Sequence, residues 1–284
     1  MRKILVSTIL LIFLLASACA AAPSASPAAT GPQPTSDSSP TAQPGDQGLT
    51  VFAAASLTEA FSELGKRFEQ ANPGTHVTFN FGGSQQLAQQ LGQGAQADVF
   101  ASANQVQIDT AAQAGRLAAD QAQPLAGNRL IVIFAKHNPG NIRILADLAN
   151  PGVKLVLADQ SVPAGQYALE FLDKASGSSE FDPGFKGAVL DNVVSFEENV
   201  RAVLTKVMLG EADAGIVYAS DVSEEALQQI GVREIPSELN VNAIYWIAPL
   251  SDSRQTDLAQ AFIQYALSTE GQDLLAKYGL LPVQ

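Results

Sequence analysis

From Leu49 onward the chain alternates between two kinds of hydrophobic pattern. Short runs that are apolar throughout or at every second position, LTVFAA, HVTFNF, DVFAS, RLIVIFA, VKLVLAD, NVVSF, AGIVYA and AIYWIAP, read as strands. Between them apolar residues recur every three or four positions. Leu57, Phe61, Leu64 and Phe68 share one helical face, and Val200, Val203, Leu204, Val207 and Met208 form a longer stripe of the same kind. Leu258, Phe262 and Tyr265 repeat it near the end. Continuous apolar strands suit sheets covered on both faces, and their alternation with helices predicts an α/β fold with mostly parallel sheets.

Upstream the pattern stops. Residues 20–48 contain neither Phe nor Leu and consist mainly of Ala, Pro, Ser, Thr, Gln and Gly. Such a segment buries too little apolar surface to offset its ordering entropy, so it is expected to be a disordered tether. Before it, MRKILVSTILLIFLLASACAAAP places Arg2 and Lys3 ahead of an apolar run, then small residues and Cys19. That is the grammar of an export signal, with a run too short for a comfortable membrane span. Its final cysteine resembles that of a bacterial lipoprotein signal, in which Cys19 would carry lipid and become the mature N-terminus. The alternative is an ordinary cleaved signal with an incidental cysteine. The expected organisation is therefore a signal over 1–19, a tether over 20–48 and a folded part over 49–284.

Composition narrows the function more than the fold. With 46% hydrophobic residues in 284 there is material for a substantial core, and a formal net charge of −12 disfavours a nucleic-acid partner. His76, His137 and the single cysteine are too far apart in sequence to suggest a metal cluster.

In open α/β sheets ligands bind beyond the carboxyl ends of strands, where helices begin. Several such junctions here are built from small or hydroxyl residues. AAASLTE ends a strand in alanines and places Ser56 three residues before Glu59, a capping-box spacing. FGGSQQLAQQL puts Gly82 and Gly83 before Ser84, allowing close backbone approach. SVPAGQYALEFL offers Pro163 as a helix start, followed by Ala164 and Gly165. SFEENVRAVL brings Asn199 and Val200 to the head of a helix, where Ser195 and Glu198 have capping-box spacing of their own, and AGIVYASD ends a strand in Tyr218. A serine before a helix is usually a cap, but several helix N-termini together make an oxyanion site. Arg201 is the only basic residue in these turns, so hydroxyls and backbone N–H groups would do the holding. A fully ionised tetrahedral dianion needs only donors, whereas phosphate carries a proton and wants an acceptor, for which Glu197 and Glu198 are the nearest carboxylates.

The ordered set VFAAASLTEAF, FGGSQQLAQQ, GAQADVFASAN, VPAGQYA and GIVYASD resembles the molybdate-binding receptors of bacterial ABC importers, and the similarity runs on to STEGQDLLAKYGLLP. The resemblance implies a two-lobed periplasmic-binding-protein fold joined by two crossing strands, RLIVIFA outward and AIYWIAP on return. Lobe one would span 49–128 and 246–284, and lobe two 129–245. It implies oxyanion contacts at Ser56, Ser84, Ala164, Val200 and Tyr218, with no direct metal-ligating side chain and no cofactor. It further implies a monomer, anchored by lipid to the cell membrane on its outer side, that delivers molybdate or tungstate to a permease.

Three readings compete with that one. The same scaffold could serve sulfate, phosphate or another small ligand. A secreted hydrolase would need a nucleophile beside a base, yet neither histidine lies in a candidate turn and VPAGQYA is not a G-x-S-x-G elbow. A scaffold protein without ligand is the third, and binding of any oxyanion would remove it.

Overall fold

A computed structural model describes residues 47–283, so the expected signal with Cys19, and the expected tether as far as residue 46, lie outside the described residues. The chain runs β1 (Gln47–Ala54), α1 (Thr58–Ala71), β2 (Thr75–Gly82), α2 (Ser84–Gly92), β3 (Val99–Ser102), α3 (Gln105–Gln113), β4 (Gln123–Asn128) and β5 (Leu130–Ala135). It continues through β6 (Leu155–Ala158), α4 (Pro163–Gly177), α5 (Phe185–Asp191), β7 (Val193–Glu197), α6 (Val200–Met208), β8 (Ala214–Tyr218) and β9 (Ile230–Glu234). It closes with β10 (Ala243–Pro249), α7 (Thr256–Leu267) and α8 (Thr269–Lys277). The first strand begins at Gln47, slightly inside the stretch expected to be tether.

The strands form two five-stranded sheets, ordered β2-β1-β3-β10-β4 and β7-β6-β8-β5-β9. In the first, β1 is parallel to β2 and β3, while β10 runs antiparallel between β3 and β4. In the second, β6 is parallel to β7 and β8, while β5 runs antiparallel between β8 and β9. The sheets are thus mixed, with four of the five strands in each pointing the same way and one reversed. The cause is the route of the chain. β4 ends at the cleft and passes through Arg129 alone into β5, which must enter the second sheet from its cleft edge. β10 enters the first sheet in the same way after β9.

RLIVIFA and AIYWIAP are accordingly the strands that follow the crossings, not the crossings themselves. Ala243, Ile244 and Tyr245 already pair with β4, so the chain is back in the first lobe before the expected boundary at 245/246. The outward crossing is held by Asn240, whose side chain accepts from Leu130 N–H at 3.0 Å and donates to Leu130 C=O at 2.8 Å. β4 and β9 had no expectation attached. β4 carries Pro124 and Gly127 and β9 carries Arg233 and Glu234, residues that a strand tolerates at a sheet edge, where both lie.

The inner strands β3, β5, β6 and β8 are buried on both faces, as their apolar runs predict, whereas edge strand β7 leaves Val194 and Phe196 exposed. β1 sends Leu49, Val51 and Ala53 to one face and Phe52 to the other, where it meets Phe100, Leu87 and Leu91. On the first face Phe262 of α7 packs edge-on against Phe61 and Phe68 of α1, with ring centroids 6.0 and 5.3 Å apart, and so ties the C-terminal helices to the first lobe. Phe262 is fully buried. Phe262→Ala is expected to destabilise the protein by about 3–5 kcal/mol, the usual range for truncating a core aromatic, as read from urea denaturation.

Candidate functional site

Six strand ends converge on one cleft between the lobes. From the first lobe come the residues at the ends of β1, β2 and β3, namely Ala54 to Ser56, Gly82 to Ser84, and Ala103. From the second come Val162 to Ala164 after β6, Asn199 and Val200 after β7, and Tyr218 at the end of β8. The cavity they leave is small, about 10 Å³, room for roughly one water-sized group. All five expected contact residues, Ser56, Ser84, Ala164, Val200 and Tyr218, line it, and every lining residue is neutral.

The helix ends differ in detail from their sequence signals. Ser56 sits in a short 3-10 turn, and α1 begins after Leu57 with no side-chain cap. The Ser56–Glu59 capping box does not form, because both groups are engaged elsewhere. Ser56 Oγ lies 2.7 Å from the Tyr245 hydroxyl, and Glu59 pairs with Arg201 at 2.5 Å. The Ser195–Glu198 box is also absent. Ser195 lies within β7 and donates to Glu197 at 2.6 Å, and the helix cap is Asn199, whose side chain accepts from Ala202 N–H at 3.0 Å.

Ser84 opens α2, and its Oγ accepts the N–H of Ala103 at 3.0 Å. With one lone pair so occupied, its proton is free to point into the pocket. Ala164 follows Pro163 in the first turn of α4, and Val200 is the first residue of α6. First-turn N–H groups have no intrahelical acceptor and sit at the positive end of the helix dipole. Tyr218 is 1% exposed, and its hydroxyl oxygen has no hydrogen-bond partner among the described residues. Burial pushes that phenol well above its usual range, so it stays protonated and can donate.

Charge stays at the rim. Arg201 of α6 reaches across the cleft to Glu59 of α1. Gln85 donates to the Glu198 carbonyl and Gln86 to the Glu198 carboxylate, both at 2.8 Å, and Asn104 donates to Gln166 at 2.9 Å. Glu197 is held by Lys206 at 2.7 Å. Neither Glu197 nor Glu198 lines the pocket, so the acceptor that a protonated oxyanion needs is not supplied by them. Gly83, which also lines the pocket, is small for a second reason. A Cβ there would stand 2.5 Å from the Glu198 carbonyl oxygen, in the opposing lobe.

One acid is buried close by. Asp221 is 1% exposed, and one carboxylate oxygen accepts from Tyr218 N–H at 3.1 Å while the other has no partner among the described residues. Burial pushes its pKa up to about 7, against the lowering effects of Arg201 and the Tyr218 N–H. Neither histidine lines the pocket, and no group of three His, Cys, Asp or Glu able to hold a metal is found among the described residues.

Ala103 and Tyr245 were not singled out from the sequence. Ala103 follows DVFAS at a junction of the same small-residue kind as the others, so the rule that found Ser56 reaches it too. Tyr245 gives no such signal, since it lies within an apolar strand 189 positions from its partner.

Comparison with known proteins places this geometry. Residues 49–281 match the family described as bacterial extracellular solute-binding protein. The molybdate-binding protein ModA of Mycobacterium tuberculosis is 39% identical over 279 residues, covering 98% of each chain. A sulfate-binding protein of Synechocystis is 26% identical over 259 residues, covering 83% of this chain and 73% of its own. In fold, the periplasmic molybdate-binding protein of Azotobacter vinelandii superposes with a TM-score of 0.71 at 18% identity, covering 83% of this chain and all of that one.

Two outcomes follow from the site geometry. Gly83→Ala is expected to keep the melting temperature nearly unchanged yet enlarge the radius of gyration seen by small-angle scattering, because the added carbon fits only if the lobes separate. Asp221→Asn is expected to become progressively more stable than the parent as pH rises. Folding raises the Asp221 pKa from 3.8 to about 7, so the parent is at full strength below the lower value and loses stability up to the higher one. Denaturation midpoints of the two proteins should converge near pH 4 and be furthest apart above pH 7.

Proposed function

The chain belongs to the bacterial extracellular solute-binding proteins, and we propose that it is the receptor that captures molybdate, and tungstate with it, for an ABC importer. The observation that carries this reading is the wholly neutral pocket at six strand ends, which offers hydroxyls and helix N-termini. Ser84 and Tyr218 are the side-chain donors, Ser56 joins them from the first lobe, and the first-turn N–H groups at Ala164 and Val200 complete the set. Identity to a molybdate-binding relative over nearly the whole chain supports the same ligand.

The mechanism is capture by closure. Donors from both lobes can reach one small anion only when the cleft is shut, so the ligand favours the closed arrangement by its differential contacts. Binding and release involve no chemical step. The oxyanion is cargo and no resident cofactor is required. Sulfate is the second reading, favoured by the donor-only lining and by the sulfate-binding relative at lower identity. Phosphate fits less well, because its proton finds no carboxylate in the lining.

The surrounding biology completes the proposal. Lipid on Cys19 would fix the protein to the outer side of the cell membrane, and the Pro- and Ser-rich stretch after it would let a monomeric receptor move between solution and permease.

Titration calorimetry against molybdate, tungstate, sulfate and phosphate tests the reading. Tight binding of the first two and weak or absent binding of the others is expected. Ser84→Ala and Tyr218→Phe should each weaken molybdate binding by roughly 10- to 100-fold, the loss of a hydrogen bond to a charged group worth about 1.5–3 kcal/mol. A preference for sulfate or phosphate would overturn the ligand assignment and leave the fold intact.

A further inference from the structure

Of the three hydroxyls at the pocket, two have their donor role settled nearby: Ser84 by the Ala103 N–H, and Tyr218 by burial without a partner. Ser56 is different, because its Oγ touches another hydroxyl, and a pair of hydroxyls can share its proton in either direction. If Ser56 donates to Tyr245, it presents lone pairs to the pocket and would repel an anion. If Tyr245 donates to Ser56, the serine proton is left for the ligand.

The contacts around Tyr245 decide between these. Tyr245 is fully buried and does not line the pocket. Among the described residues its hydroxyl has two contacts, Ser56 Oγ at 2.7 Å and Asn128 Nδ2 at 3.3 Å. The orientation of the Asn128 amide is set independently, because its oxygen accepts the N–H of Arg129 at 2.9 Å. Its nitrogen therefore faces Tyr245 and Ser220 Oγ, the latter at 2.8 Å. An amide nitrogen only donates. The neighbouring Tyr218 hydroxyl does not meet hydrogen-bond geometry with the Tyr245 phenol. Ser56 Oγ is thus the one well-placed acceptor for the phenol proton, and leaving that bond unmade inside the protein would carry the penalty of a buried unsatisfied donor. Burial holds the phenol far above its usual range, so that proton is present at all working pH values.

We propose that Tyr245 is the positioning residue that fixes Ser56 as a hydrogen-bond donor to the oxyanion, with its own direction set by Asn128 at the crossing between the lobes. The inference rests on the oxyanion reading of the pocket and deepens it. The relay runs one way, from Asn128 to Tyr245 to Ser56 to ligand, and every member is on the first lobe. Asn128 also holds Ser220 of the second lobe, two residues beyond Tyr218, so the group that orients Ser56 is itself seated by the junction about which the lobes close. The relay makes a further demand on selectivity. A serine whose proton is committed to the oxyanion, and one of whose lone pairs is taken by Tyr245, is a poorer acceptor for a protonated oxyanion. Discrimination against hydrogen phosphate should therefore depend on a tyrosine that the ligand does not touch.

A double-mutant cycle separates this role from a structural one. Affinities for molybdate, tungstate, sulfate and phosphate are measured on the full chain and on Ser56→Ala, Tyr245→Phe and the double variant. The cycle is evaluated with whichever anion binds the parent most tightly. Tyr245→Phe is expected to weaken binding about 10-fold when Ser56 is present and less than about 2-fold when it is alanine, because the tyrosine acts only through the serine. The preference for molybdate over phosphate should narrow in Tyr245→Phe. Equal losses in both backgrounds, or no loss in either, would overturn the proposal while leaving the receptor reading untouched. If the parent binds none of the four anions, both fall together.

Should Tyr245→Phe fail to fold, the parent still decides the matter by proton NMR. A slowly exchanging Tyr245 hydroxyl proton with a nuclear Overhauser contact to the Ser56 β-protons, shifted on adding the anion, is the expected result. A rapidly exchanging proton indifferent to the anion would contradict it.

Discussion

A pocket lined by neutral residues can hold a charge only through dipoles, and a dipole is useful only if its direction is fixed before the charge arrives. That constraint organises the whole cleft. The helices starting at Ser84, Pro163 and Val200 fix backbone N–H groups by their own hydrogen bonding, so those dipoles need no further support. Hydroxyls rotate, and each has to be set by a neighbour. Ser84 is set by the backbone of Ala103, and Tyr218 by its burial. The duplicated strand order places three ends from each sheet at one place, so the anion is met from two sides by groups that cannot follow it into solvent.

The same constraint explains where the formal charges are. A lysine or arginine within the pocket would bind any anion strongly and discriminate poorly between them. Arg201, the basic residue that follows Val200 in these turns, spans the cleft to Glu59 instead, and both are about a third exposed. Pairs of that kind contribute at most about 1 kcal/mol. The contacts across the cleft are of the same character, single amide hydrogen bonds from Gln85, Gln86 and Asn104. They align the rims without locking them, which leaves the balance between open and closed to the bound anion. Gly83 complements this from the steric side, by letting the two backbones meet.

Much of this was legible in the sequence because the requirement is local. A strand that ends in small residues before a helix can be recognised from a dozen positions, and Ser56, Ser84, Ala164, Val200 and Tyr218 all lie at such ends. What the local signal could not supply was the use of each group. Ser56 and Glu59 have the spacing of a capping box, yet each finds a better partner from a distant segment. Gly83 reads as room for a ligand and does line the pocket, yet it also meets the backbone of the other lobe. Tyr245 and Asn128 lie outside any motif because their role arises only where three remote strand ends come together. The edge strands β4 and β9 were missed for a related reason, since a strand paired on one side only needs no continuous apolar run.

The crossed route of the chain has a consequence for how the protein is made. β10 lies between β3 and β4 in the first sheet, so β4 has no neighbour there until Ala243–Pro249 has been synthesised. For more than a hundred residues of elongation the nascent first lobe therefore carries a bare β3 edge and an unattached strand. The second lobe has a shorter delay, because β5 waits only for β8 and all five of its strands fall between Leu130 and Glu234. The half that is completed last is the half that begins first, and its exposed edge is the natural point of contact for whatever keeps the chain from aggregating on the way.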